Sequence, residues 1–138
     1  MFAGLSHVSI VVPDLEAAAR RLRDAFGLSV GEPHTNAEQG VRLAYVDLGN
    51  ARLELMAPSR PDSPVAKFLE RNPKGGIHHF SLHVDDLAST AEALRAQGLR
   101  ILGDGRRQYN VAGERIAFVH PADFLGALLE LEERGAKG

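Results

Sequence analysis

The chain has 138 residues, 44% apolar and 25% charged, with a formal net charge of −2 and no cysteine. That is the balance of an ordinary globular domain, with no basic surface for nucleic acid or anionic membrane and no membrane-spanning apolar run. Without cysteine there is neither a disulfide framework nor a thiolate metal site, and the start Met1-Phe2-Ala3-Gly4 lacks signal-peptide features, so a cytoplasmic protein is expected.

The first segment, Ser6-His7-Val8-Ser9-Ile10-Val11-Val12, alternates as a half-buried strand does. His7, Ser9 and Val11 share one face, and Val8, Ile10 and Val12 the other. Asp14 is placed to cap a helix through Leu15, Ala18, Ala19 and Leu22, with Gly27 as its stop. A short strand is expected over Leu28 to Val30. Gly49-Asn50 is a two-residue hairpin turn signal. It pairs Leu48 with Ala51, Tyr45 with Glu54 and Leu43 with Met56, so Tyr45 and Leu43 project to the same side as Glu54. The returning strand alternates, with Leu53 and Leu55 on the core face and Glu54 on the other.

Residues 59–76 read as a linker. It holds a short helix with Ser63 as cap, Pro64 at its first position and Val65 to Arg71 as body. The pattern then starts again. His79, Ser81, Val84, Asp86 and Leu87 repeat His7, Ser9, Val12, Asp14 and Leu15 at a constant offset (79 − 7 = 72). A second helix runs from Leu87 through Ala91 and Leu94 to Gly98, and a strand follows over Leu99 to Leu102. Ala127-Leu128-Leu129-Glu130-Leu131-Glu132 echoes Ala51-Arg52-Leu53-Glu54-Leu55-Met56, with one glutamate between leucines in each. The expected fold is α+β: two tandem βαβββ modules, 5–58 and 77–133, forming a curved, barrel-like mixed sheet with helices on its outer face. Modules of about 60 residues are marginal alone and should pack together.

Taken singly, a strand histidine reads as a hydrogen-bonded core residue and a strand glutamate as a solvated one. Duplication changes that reading. The same His-and-Glu pair stands at the same places in both modules, always on the polar face. His7, Glu54, His79 and Glu130 therefore point to one divalent metal. Two imidazoles and two carboxylates suit Co²⁺, Mn²⁺, Ni²⁺, Zn²⁺ or Fe²⁺, and on a six-coordinate ion they leave two positions open. His83 shares the His79 face and is a candidate site-lining residue. His78 reads as a structural histidine, and Arg106-Arg107 as a solvated loop or a phosphate contact. His34 and His120 fall in loops and carry no signal.

At these residues the chain resembles the vicinal oxygen chelate (glyoxalase/bleomycin resistance) superfamily, and within it the methylmalonyl-CoA epimerases. The most specific stretches are Leu53-Glu54-Leu55-Met56-Ala57-Pro58, Asp62 to Leu69, Gly75-Gly76-Ile77-His78-His79 and Phe118-Val119-His120-Pro121. The resemblance implies the same four metal ligands, with Co²⁺ as the first choice and Mn²⁺, Ni²⁺ or Zn²⁺ after it. It implies an acyl-CoA substrate, methylmalonyl-CoA, a homodimer, and a reaction by α-proton removal through a metal-stabilised enediolate. Glu130 matches the family's catalytic base. A second catalytic glutamate of some epimerases falls on Leu43, a candidate substrate-binding position, as is His83. Inversion needs a second proton carrier. Tyr45, on the same side as Glu54, is the candidate, although its ordinary pKa of about 10 would have to fall. Two other departures, Ala122 after His120-Pro121 and the loop Tyr109-Asn110-Val111-Ala112-Gly113, leave the acyl group open. A lactoylglutathione lyase of this superfamily would use the same ligand set, an extradiol dioxygenase only three of the four, and a metal-free binding protein none.

Overall fold

The structure is a computed structural model that describes residues 1–102 and 113–135. Arg106-Arg107 and the stretch Tyr109 to Ala112 lie outside the described residues. The elements run β1 (Phe2–Val11), α1 (Leu15–Phe26), β2 (His34–Asn36), β3 (Val41–Asp47), β4 (Arg52–Pro58), α2 (Pro64–Arg71), β5 (Gly76–Val84), α3 (Leu87–Ala96), β6 (Ile101–Leu102), β7 (Ile116–Val119), a 3-10 turn (Pro121–Asp123) and β8 (Leu129–Glu133). The order strand, helix, three strands therefore occurs twice, with α2 between the two copies. No helix among the described residues is long and apolar enough to cross a membrane.

Local chemistry starts and stops these elements. Asp14 caps α1 by accepting from the Ala17 N–H at 3.0 Å, and Asp86 caps α3 by accepting from the Ser89 N–H at 3.0 Å. The Ser89 N–H also holds the Asp86 carboxyl below the usual carboxylate range. Gly27 ends α1 in the left-handed conformation, with φ 66°. Ser63 caps α2 with Pro64 in the first turn.

One expected strand is absent. Over Leu28 to Val30 there is only a single bridge, Val30 to Val46, followed by the Gly31 N–H donating to the Tyr45 carbonyl at 2.9 Å. Pro33 has no N–H to continue that ladder, so pairing resumes at His34, which stands opposite Leu43. The strand expected from Leu99 begins only at Ile101.

The chain divides into two compact units, one of Val8–His78 and one of Met1–His7 with the chain from His79 on. In the first, the strand order is β2-β3-β4-β1. Strands β3 and β4 pair antiparallel, Tyr45 opposite Glu54 and Leu43 opposite Met56, the register set by the Gly49-Asn50 turn. Alternation then sorts two cores. Ala44, Val46 and Leu55 pack with Leu15, Leu22 and Ile10 under α1. Leu43 and Met56, on the other face, pack with Val11, Val41 and the α2 residues Val65, Phe68 and Leu69.

In the second unit the order is β5-β8-β7-β6. Strands β5 and β8 are parallel, with Ser81 opposite Glu130 and His83 opposite Glu132. Leu129 and Leu131 join Val84, Leu87, Ala117 and Val119 in a core that also takes in Leu94 of α3. The burial of Leu129 and Leu131 on the α3 side fixes Glu130 and Glu132 on the opposite face.

Candidate metal centre

Both clusters of functional side chains grow from strand alternation. In the unit containing β5 and β8, His7, His79 and Glu130 are all buried, at 2%, 5% and 5% exposure. His7 Nε2 lies 3.4 Å from Glu130 Oε2, and His79 Nε2 lies 3.9 Å from Glu130 Oε1. The two imidazole rings meet edge-on, with centroids 5.5 Å apart and planes at 74°. Phe118, across the ladder from Glu130, braces the other side of His79 with centroids 5.8 Å apart. Two ring nitrogens thus converge on one carboxylate at distances too long for strong hydrogen bonds and suited to a shared cation.

A third acid stands in this cluster. Glu132 is 1% exposed, and atoms of His7, Glu130 and Glu132 lie within 4.8 Å of one another. Ser6 Oγ donates to Glu132 Oε1 at 2.7 Å and also lies 3.0 Å from His7 Nδ1. His83 Nδ1, half-buried, approaches Glu132 Oε1 at 3.5 Å. Neither Glu132 nor Ser6 emerges from the repeat. Glu132 aligns with Met56 in the first copy, so a search for duplicated ligands passes over it. The signal was present all the same: Glu132 lies two residues beyond Glu130 in an alternating strand, and so on the same face.

In the other unit Glu54 is 8% exposed. Ser9 Oγ donates to its Oε1 at 2.5 Å and Tyr45 Oη donates to its Oε2 at 2.9 Å. Tyr45 is itself covered by the Arg52 guanidinium, 4.4 Å from the ring centroid. Ser9 stands two residues beyond His7 in β1, on the same face of that strand. Leu43 is 3% exposed, within the apolar cluster under α2. His78 is outside both clusters. It packs on Phe68, ring centroids 5.5 Å apart, and burial pushes its pKa down.

The donor set fits a borderline divalent ion: buried imidazole nitrogens and carboxylates, with no thiolate anywhere in the chain. It is a His/Glu cluster of the kind that can hold a metal.

Residues 6–118 match the family model described as Glyoxalase/Bleomycin resistance protein/Dioxygenase superfamily. The ethylmalonyl-CoA/methylmalonyl-CoA epimerase of Cereibacter sphaeroides is 43% identical, over 96% of this chain and 99% of that protein. The crystal structure of methylmalonyl-CoA epimerase from Mycobacterium tuberculosis superposes with a TM-score of 0.88 at 36% identity, covering 99% of this chain and 91% of that one. A methylmalonyl-CoA epimerase solved in complex with methylmalonyl-CoA and NH4+ superposes with a TM-score of 0.87 at 34% identity, covering 99% and 97%. The α+β fold of paired βαβββ units is therefore the fold of these enzymes. The chain belongs to the Glyoxalase/Bleomycin resistance protein/Dioxygenase superfamily and, within it, to the methylmalonyl-CoA epimerase family.

Proposed function

We propose that this chain is a metal-dependent epimerase that interconverts the (R) and (S) forms of methylmalonyl-CoA. The observation that carries the reading is the convergence of His7 Nε2 and His79 Nε2 on the buried Glu130 carboxylate. The family likeness supplies the substrate, since relatives named for this activity match over nearly the whole chain.

His7, Glu54, His79 and Glu130 are the residues that would hold the ion, with Co²⁺ first and Mn²⁺, Ni²⁺ or Zn²⁺ as the other candidates. When bound, the ion supplies Lewis-acid stabilisation to negative charge developing on the substrate oxygens. The remaining work falls to the chain. The α-carbon of methylmalonyl-CoA lies between a thioester carbonyl and a carboxylate, so its proton is acidic. The Glu130 carboxylate takes that proton, breaking the C–H bond and leaving its electron pair delocalised toward the thioester oxygen. Return of a proton to the opposite face inverts the centre, and Tyr45 is the second proton carrier in this reading. Leu43 and His83 line the substrate. Burial of the acidic groups keeps water away from the carbanion. In this reading the enzyme works as a cytoplasmic homodimer.

The test is elemental analysis joined to isotope exchange. After reconstitution, the protein should hold about one divalent ion per chain and exchange the α-proton of methylmalonyl-CoA into D₂O. Replacing His7, His79 or Glu130 by Ala should remove most of the metal while unfolding stays cooperative. Fewer than about one ion per two chains would sink the metal assignment. Turnover of the hemithioacetal of methylglyoxal and glutathione, without methylmalonyl-CoA exchange, would replace the epimerase by a lactoylglutathione lyase.

A further inference from the structure

A strand histidine can offer a metal either ring nitrogen, and only the nitrogen without a proton can bind. His7 has its two nitrogens in different surroundings. Nε2 faces the Glu130 carboxylate at 3.4 Å, whereas Nδ1 faces Ser6 Oγ at 3.0 Å and Glu132 Oε2 at 3.8 Å. A serine hydroxyl carries a single hydrogen. In Ser6 that hydrogen is donated to Glu132 Oε1, 2.7 Å away. The oxygen can then only accept from His7, so the proton on His7 sits on Nδ1 and Nε2 keeps its lone pair.

We infer that Ser6 and Glu132 form a positioning relay that fixes His7 as the Nδ1–H tautomer and aims Nε2 at the metal. The inference rests on His7 being a metal ligand, as proposed above. All three residues are buried, with Ser6 3%, His7 2% and Glu132 1% exposed, so water does not compete for these bonds. The carboxylate anchors the hydroxyl, and the hydroxyl orients the ring. Carboxylate partners of metal-binding histidines act in this way, and losing one typically weakens metal binding about 10- to 100-fold. Ser6 inserts a hydroxyl between carboxylate and ring, which explains why Glu132 lies 3.8 Å from Nδ1 rather than at hydrogen-bonding distance. At the matching place in the second module the residue before the histidine differs: it is His78, which packs on Phe68.

The tautomer can be read without any metal. Long-range ¹H–¹⁵N correlation spectra of metal-free, ¹⁵N-histidine-labelled protein, recorded near pH 8 where an ordinary imidazole is neutral, distinguish Nδ1–H from Nε2–H rings. Wild-type His7 should show the Nδ1–H pattern. Ser6→Ala and Glu132→Gln should convert it to Nε2–H or a mixture, and weaken Co²⁺ binding about 10- to 100-fold by spectroscopic titration. Ser6→Thr keeps the hydroxyl and should restore both the tautomer and the affinity. Ser6→Ala is the smaller change and keeps the experiment decisive should Glu132→Gln fail to fold. An Nε2–H ring in the wild type overturns the relay. So does Co²⁺ affinity within about twofold of wild type in both variants while His7→Ala loses the metal, and that result leaves the metal reading standing. Unchanged Co²⁺ binding in His7→Ala overturns the metal reading and the inference built on it.

Discussion

The Tyr45 hydroxyl donates to Glu54 Oε2 at 2.9 Å, directly across the β3–β4 ladder. Tyr45, proposed above as the second proton carrier, therefore also touches a proposed metal ligand. Tyr45→Phe removes a hydrogen bond to a charged acceptor, a contribution of about 1.5–3 kcal/mol when fully expressed. Co²⁺ affinity should fall by about tenfold, measured by titration. Inversion should slow more than α-proton exchange into D₂O. If both epimers turn over at the wild-type rate, Tyr45 only holds Glu54 in place.

Leu43→Glu puts an acid at the position where the family resemblance expects one. Leu43 is 3% exposed among Val11, Val41, Met56 and Val65. Burying a carboxylate there should lower stability by at least about 2 kcal/mol in chemical denaturation. In a Tyr45→Phe background the same change should raise the inversion rate. A stable double variant with no gain in inversion would remove position 43 from the proton path.

Chelation should destabilise the fold. Glu130 and Glu132 share one strand face at 5% and 1% exposure, an acidic pair that a bound cation would neutralise. Removing a ligand held at a thousandfold excess over its Kd costs about 4 kcal/mol. Differential scanning calorimetry with and without chelator should show a clear drop in Tm, reversed by adding Co²⁺. An unchanged Tm would speak against a resident ion.

Gly75 adopts φ +85°, and a Cβ built on it would run into the carbonyl of Val11. Gly75→Ala combines backbone strain with that clash, and should cost about 1–3 kcal/mol or more. Because β5 starts at the next residue, the metal binding proposed for His79 should weaken as well. Urea denaturation together with Co²⁺ titration checks both effects.

The Arg100 guanidinium donates to both oxygens of Asp123, at 3.0 and 3.3 Å, and holds its carboxyl below the ordinary value of 3.8. A depressed carboxylate adds stability above its unfolded pKa and loses it as pH falls through the folded one. Asp123→Asn should therefore melt below wild type at neutral pH. The gap should shrink as pH drops from about 3.8 downward. A gap that widens on acidification would show that the pair contributes in some other way.

Much of this was legible locally. Asp14, Ser63 and Asp86 announce helix starts because capping depends on the next few residues only. The pairing of Tyr45 with Glu54 follows from one two-residue turn. Duplication singled out His7, Glu54, His79 and Glu130, and the structure finds all four buried. What stayed hidden was non-local or unrepeated. The parallel register that sets His83 opposite Glu132 depends on segments far apart in the chain. Glu132 is matched by Met56 in the first module and Ser6 by His78 in the second, so the very criterion that singled out the candidate ligands left out their partners. Over Leu28 to Val30 only Val30 reaches β3, because the Leu28 N–H is taken by the Leu22 carbonyl that closes α1.

The antiparallel pairing of β3 with β4 also limits how this chain can change length. Side chains alternate with a period of two, so deleting either Arg52 or Leu53, between the turn and Glu54, would reverse the parity of everything after it. Glu54 would swing into the layer of Leu15, Val46 and Leu55, and a leucine would take its place beside Ser9. Chain-length drift in this hairpin is therefore tolerable only in steps of two between turn and ligand, or at the exposed Gly49-Asn50 tip itself, where extra residues bulge into solvent. A deletion library across 46–58 should show survivors at the tip and an odd–even pattern along the strand.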